Sequence, residues 1–184
     1  MRPPLKLTLI YGSARPGRLC DQVAGWAAAQ VRDHGLFELD SLDPLADDFP
    51  PNAAALKARI GRSDAILVVT PEYNHSFPAP LKALIDTVER EWSGKSVAFV
   101  AYGGVSGGLR AVEHLRNVFA ELDAHTLRET VAFARAWERF GPDGALRDPE
   151  RERKAMAGLL DRLAWWSEAL RTARAADLTA ERAA

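Results

Sequence analysis

The sequence predicts an α/β domain in three layers, with a five-stranded parallel sheet between two sets of helices. Short runs rich in Val, Ile and Leu are apolar almost without interruption, as strands buried on both faces are. The segments between them space apolar residues three and four apart, as helices with one buried stripe do. The two patterns alternate along the chain, which implies one sheet with right-handed crossovers covering both of its faces.

Taken in order, Leu5–Tyr11 is the first strand, and Leu19, Val23, Trp26 and Ala27 mark the first helix. Phe37–Leu42 alternates more and suits an edge. A turn at Phe49-Pro-Pro-Asn52 precedes a weaker helix over Ala53–Ile60. Asp64–Thr70 is a fully buried strand, followed by a helix carrying Leu81, Leu84, Ile85 and Val88. Ser96–Tyr102 is the fourth strand, and Leu109, Val112, Leu115, Phe119 and Leu122 stripe the helix after it. His125–Phe133 mixes polar and apolar residues near the other edge, and a last helix carries Met156, Leu159, Leu160, Leu163 and Leu170. Residues 1–171 form the domain. Residues 172–184 are rich in Ala and charge without apolar period, and are expected to be a frayed tail.

Composition narrows the function. A chain of 184 residues suits one domain. Its 47% hydrophobic and 27% charged content is globular. A net charge of −1 argues against a nucleic-acid binder. One cysteine excludes a disulfide framework, and four scattered histidines lack metal-ligand spacing. No run approaches the ~18 apolar residues of a membrane span, and no signal-peptide core is evident. A cytoplasmic protein is expected.

In an open parallel sheet, ligands bind beyond the carboxyl ends of the strands, where the strand order reverses. Three loops qualify. Gly12-Ser-Ala-Arg-Pro-Gly-Arg18 pairs a helix start with Arg15 and Arg18, the chemistry of a phosphate cradle. An ordinary loop with two solvated arginines is the alternative. Pro71-Glu-Tyr-Asn-His-Ser-Phe-Pro-Ala-Pro80 is stiffened by prolines, with Tyr73 able to stack and Asn74 able to bond a ring edge. A helix-capping turn with His75 merely exposed is its alternative. Tyr102-Gly-Gly-Val-Ser-Gly-Gly108 lets backbone approach a ligand closely. Gly104-Val-Ser106-Gly-Gly108 also fits the G-x-S-x-G nucleophile elbow, with Asp123 and His125 following, so a serine hydrolase stands as a competitor. Cys20 sits where a helix start lowers a thiol pKa, although packing or a phosphate-loop role suits it better than catalysis.

Gly12-Ser13-Ala14-Arg15, Pro71-Glu72-Tyr73-Asn74, Leu81-Lys82-Ala83-Leu84-Ile85-Asp86 and Gly103-Gly104 occur in order at these strand ends. With them the chain resembles the NADPH-dependent FMN reductase family of flavodoxin-like quinone, chromate and azo reductases, from Leu5 to about Leu163. The resemblance implies strand order 2-1-3-4-5 and an FMN cofactor. It puts the phosphate at Ser13, Arg15, Arg18, Leu19 and Cys20. It puts the isoalloxazine and ribityl chain against Pro71, Glu72, Tyr73 and Asn74, with Tyr102, Gly103, Gly104 and Val105 on the other side of the ring. Arg18 and Cys20 stand where many members have Ser and Asn.

Also implied are NADPH or NADH as co-substrate, ping-pong hydride transfer to a quinone-like small acceptor, no catalytic side chain and a homodimer or homotetramer. A flavin-bearing electron carrier without its own substrate is the alternative, against which the weak net charge and the arginines of the first loop both count.

Overall fold

The computed structural model describes residues 3–46 and 48–183, and of residues 177–183 the backbone alone. Five strands, β1 (Leu5–Tyr11), β2 (Phe37–Leu42), β3 (Ala65–Pro71), β4 (Ser96–Gly103) and β5 (His125–Ala134), form one sheet in the order β2-β1-β3-β4-β5. All four pairings are parallel. The reversal of order falls between β1 and β3, so the switch-point crevice opens above Tyr11 and Pro71.

Alternation along the strands divides the core. Leu7 and Leu9 of β1 face α1 (Cys20–His34) and α6 (Glu150–Ala183), while Ile10 faces α2 (Ala53–Gly61), α3 (Ala79–Thr87) and α4 (Leu109–Glu121). Both faces are covered, which is why β3 and the first seven residues of β4 are buried throughout. Each such Leu or Ile contributes about 1.5–3 kcal/mol by leaving water.

β3 starts and ends one residue later than its apolar run suggests, and β4 and β5 each gain one residue. Two elements escape sequence patterning altogether. They are a 3₁₀ turn at Arg90–Trp92 and the four-residue helix α5 (Ala136–Arg139) after β5. β5 loses register opposite Ala98, and the Arg116 guanidinium binds the carbonyls of Leu127 and Arg128 freed there. Of the segment expected as a tail, residues 172–183 continue α6 in their backbone, and residue 184 lies outside the described residues. Arg174 fastens this stretch to the body of the domain by hydrogen bonds to the Gly94 carbonyl (2.5 Å) and to Asp64 (3.0 Å).

Candidate active site

The carboxyl ends of β1, β3, β4 and β5 converge on one cleft of about 300 Å³. Arg15, Gly17, Arg18 and Leu19 line it after β1, Pro71 to Tyr73 after β3, Tyr102 to Gly104 after β4, and Ala136 with Trp137 after β5. The three loops singled out in the sequence therefore meet at one place.

The first loop is drawn tightly against β3. The Gly12 amide donates to the Val69 carbonyl at 2.7 Å, and a Cβ on Gly12 would lie 2.7 Å from that same oxygen. Ser13 is fully buried, and its hydroxyl lies 2.9 Å from the Tyr73 hydroxyl and accepts the Arg15 amide at 3.3 Å. Helix α1 then begins without a side-chain cap, since the N-cap position holds Leu19. By contrast, Asn52 caps α2 through the Ala55 amide. The first amides of α1 thus keep unfilled donors beside the cleft, the arrangement that receives an anion. Arg15 is exposed above them, its guanidinium carbon 4.7 Å from the Tyr73 ring centroid. It has no carboxylate partner among the described residues.

Arg18 lines the cleft, but its guanidinium is already engaged by the protein. Its side chain is turned inward and donates to Asp43 at 2.5 Å, to Asp21 at 2.8 Å and to the Ser13 carbonyl. Burial alone would pull its pKa down, but the bonds to Asp43 and Asp21 outweigh it and hold the charge. Arg18 therefore ties the loop after β1 to the loop after β2. Cys20 is likewise a core residue. Burial pushes its thiol pKa up, against the lowering expected at a helix start, and it packs toward Tyr102 and the Val69 carbonyl. Tyr102 is itself buried, its phenol pushed up by the same desolvation and by Cys20.

In the second loop, Tyr73 and Ser76 exchange backbone hydrogen bonds across Asn74 and His75. Both central residues have positive φ, 50° and 67°, so this is a tight two-residue hairpin of the kind Asn favours. It leaves Asn74 and His75 exposed and Asn74 outside the cleft lining. Val105 is also outside the lining and 85% exposed.

Glu72 reaches across to the third loop. Its carboxylate accepts from the Ser106 hydroxyl at 2.6 Å, and from the Arg110 amide and guanidinium at 3.2 and 2.7 Å. Burial opposes its ionisation, but these donors prevail and lower its pKa. The contact to the Arg110 amide makes Glu72 a cap for α4 supplied from another strand end.

Distance disposes of the hydrolase reading. Ser106 follows the carboxyl end of β4, whereas His125 opens β5 and pairs with Ser96 at the amino end of the sheet. An eight-residue strand separates them, roughly 25 Å at about 3.3 Å per residue. Asp123 is bonded to Ser93 at that far end. No triad forms.

Residues 5–138 match the model of the NADPH-dependent FMN reductase family. The chain belongs to that family. It is 31% identical to an NAD(P)H:quinone oxidoreductase of Solanum tuberosum over 86% of this chain and 91% of that one. It is also 31% identical to a 2-hydroxy-1,4-benzoquinone reductase of Burkholderia sp, over 88% and 96%. Among solved structures, the flavoenzyme NAD(P)H:(acceptor) oxidoreductase FerB from Paracoccus denitrificans superposes with a TM-score of 0.70 at 26% identity. That match covers 89% of this chain and 97% of FerB. Of the loop residues that carry the resemblance, Arg15, Pro71, Glu72, Tyr73, Gly103 and Gly104 line the cleft, while Ser13 and Asn74 do not. Sequence reasoning missed Ala136 and Trp137, because a four-residue helix leaves no periodic signal. An isolated Trp just past a strand end was the available hint.

Proposed function

We propose that the protein is an FMN-dependent NAD(P)H oxidoreductase that passes electrons to a quinone-like small molecule, and that the cleft at β1, β3, β4 and β5 is where it does so. The observation that carries this is the uncapped start of α1, opening onto a cleft with the family's loops around it, beside an Arg15 that has no carboxylate partner among the described residues. Bound FMN supplies two-electron transfer between the nicotinamide and the acceptor. The residues present fit such a group. The α1 amides and Arg15 offer donors for its phosphate, and Gly103 and Gly104 offer backbone without side chains along the ring. Glu72, through Ser106 and Arg110, fixes the spacing between the second and third loops. Arg18 fixes the first loop from beneath. The chain's part is binding and orientation, and no side chain is assigned as acid or base.

A cytoplasmic location and a homodimer or homotetramer belong to the same proposal and rest on the resemblance. No helix among the described residues is long and apolar enough to cross a membrane. Light scattering of the purified protein tests the oligomer.

The function is tested by two measurements. The supernatant of the denatured protein should carry an FMN spectrum, or the purified protein should take up added FMN stoichiometrically. The flavin-loaded protein should then consume NAD(P)H steadily with benzoquinone. Flavin uptake without NAD(P)H consumption would favour the electron-carrier alternative. No flavin uptake would overturn the proposal.

A further inference from the structure

A single exposed apolar side chain is ordinary on a protein surface, but one that lines a ligand cleft is placed to meet what the cleft holds. Trp137 is 62% exposed and lines the cleft. Its ring tip lies 3.8 Å from where a Cβ on Gly104 would stand. It therefore sits over the glycine turn that follows β4, not out on a distant face.

The indole is held on a rigid mount. Arg135 takes a left-handed conformation, φ 47°, and its amide donates to the Gly104 carbonyl at 2.8 Å. Ala136 is fully buried beneath. Arg139 then makes two 3.0 Å bonds to Glu152, itself 5% exposed, and fixes α5 to α6. A non-glycine residue held at positive φ carries strain that its surroundings must sustain. Here that strain turns the chain so that the next residue but one, Trp137, meets the cleft.

Position along the sheet gives the indole its task. The cleft is built in strand order β1, β3, β4, β5, with the anion-receiving end of α1 at the first and Trp137 at the last. Three interstrand steps of about 4.8 Å separate these ends, roughly 14 Å. Trp137 thus lies away from the phosphate end, on the side where the flat part of a ligand is met. Indole faces prefer offset stacking on other flat rings.

We infer that Trp137 is a specificity-determining residue, the face on which a planar aromatic acceptor of the naphthoquinone class stacks. This rests on the oxidoreductase reading above. Trp137→Leu keeps apolar bulk but removes the aromatic face, and Trp137→Phe restores a smaller one. In the flavin-loaded protein, Trp137→Leu should raise KM for 1,4-naphthoquinone relative to KM for ferricyanide, which has no ring to stack, by roughly three- to tenfold. Trp137→Phe should recover most of that ratio. The same order should appear without turnover. Calorimetric binding of 1,4-dimethoxynaphthalene, flat but not reducible, should weaken in the Leu variant and recover in the Phe variant.

Equal KM ratios in all three proteins, or naphthalene binding indifferent to the substitution, would overturn the inference while leaving the oxidoreductase reading intact. A wild-type protein that takes up no flavin would instead overturn that reading.

Discussion

The Glu72 carboxylate accepts a hydrogen bond from Ser106 at 2.6 Å, joining two strand-end loops 34 residues apart in the chain. Replacing Glu72 with Ala leaves the start of α4 uncapped and the Ser106 hydroxyl without its acceptor. We expect a loss of about 1–2 kcal/mol, because Arg110 is half exposed and its ion pair is partly screened. Flavin affinity should fall with it. Glu72 has a lowered pKa in the fold, so its stabilisation is present above the ordinary carboxylate range and is lost as pH falls through the depressed value. Glu72→Gln should remove that acid-side dependence. Denaturant midpoints from pH 3 to 7 check both points, and an identical acid profile in the Gln variant would refute the assignment.

Two arginines of the first loop should separate cleanly. Arg18→Ala strands Asp43 and the Ser13 carbonyl beneath the loop and should cost about 2–4 kcal/mol of stability. Arg15→Ala should barely change unfolding but weaken FMN binding by about ten- to a hundredfold, as loss of a charged hydrogen bond does. Thermal melts and flavin titrations on both variants decide the matter. The reverse pattern would mean that Arg18 is the phosphate ligand.

Gly108 is the sharpest steric test. Its φ is +88°, and a Cβ there would lie 2.7 Å from the Tyr102 amide nitrogen. Gly108→Ala should cost at least ~3 kcal/mol and lower Tm by about 6–12 °C. Gly104→Ala meets nothing closer than the Trp137 ring at 3.8 Å and should fold normally. Equal melting temperatures for the two variants would contradict this backbone geometry.

Lys95 governs the alkaline side. Burial, with Arg174 nearby, presses its pKa down to about 8, while its ammonium donates to the Ser63 and Gly61 carbonyls. The unfolded chain keeps its proton to a higher pH. Between about 8 and 10 the unfolded state therefore holds more protons, and stability should rise with pH. Lys95→Met should abolish that rise. Urea midpoints across the window measure it, and an unaltered slope in the variant would exclude Lys95 as the cause.

Much of this was legible in the sequence, for definable reasons. β1, β3 and β4 are buried on both faces, so their apolar runs are nearly unbroken, and the loops at their ends stand out by contrast. What could not be read is who partners whom. Arg15 and Arg18 look alike in a loop, and only the fold brings Asp43 from the end of β2 under one of them. Glu72 lines the cleft as expected, but its bonds to Ser106 and Arg110 cannot be read from the sequence. α6 outlasts its apolar stripe because Arg174 finds a carbonyl and a carboxylate at the start of two strands.

That last attachment fixes the polarity of the molecule. Gly94 and Asp64 precede β4 and β3, so Arg174 marks the pole opposite the cleft. A tether joined to the chain beyond Arg174 would hold the protein on an electrode or bead with its reactive mouth facing away from the support.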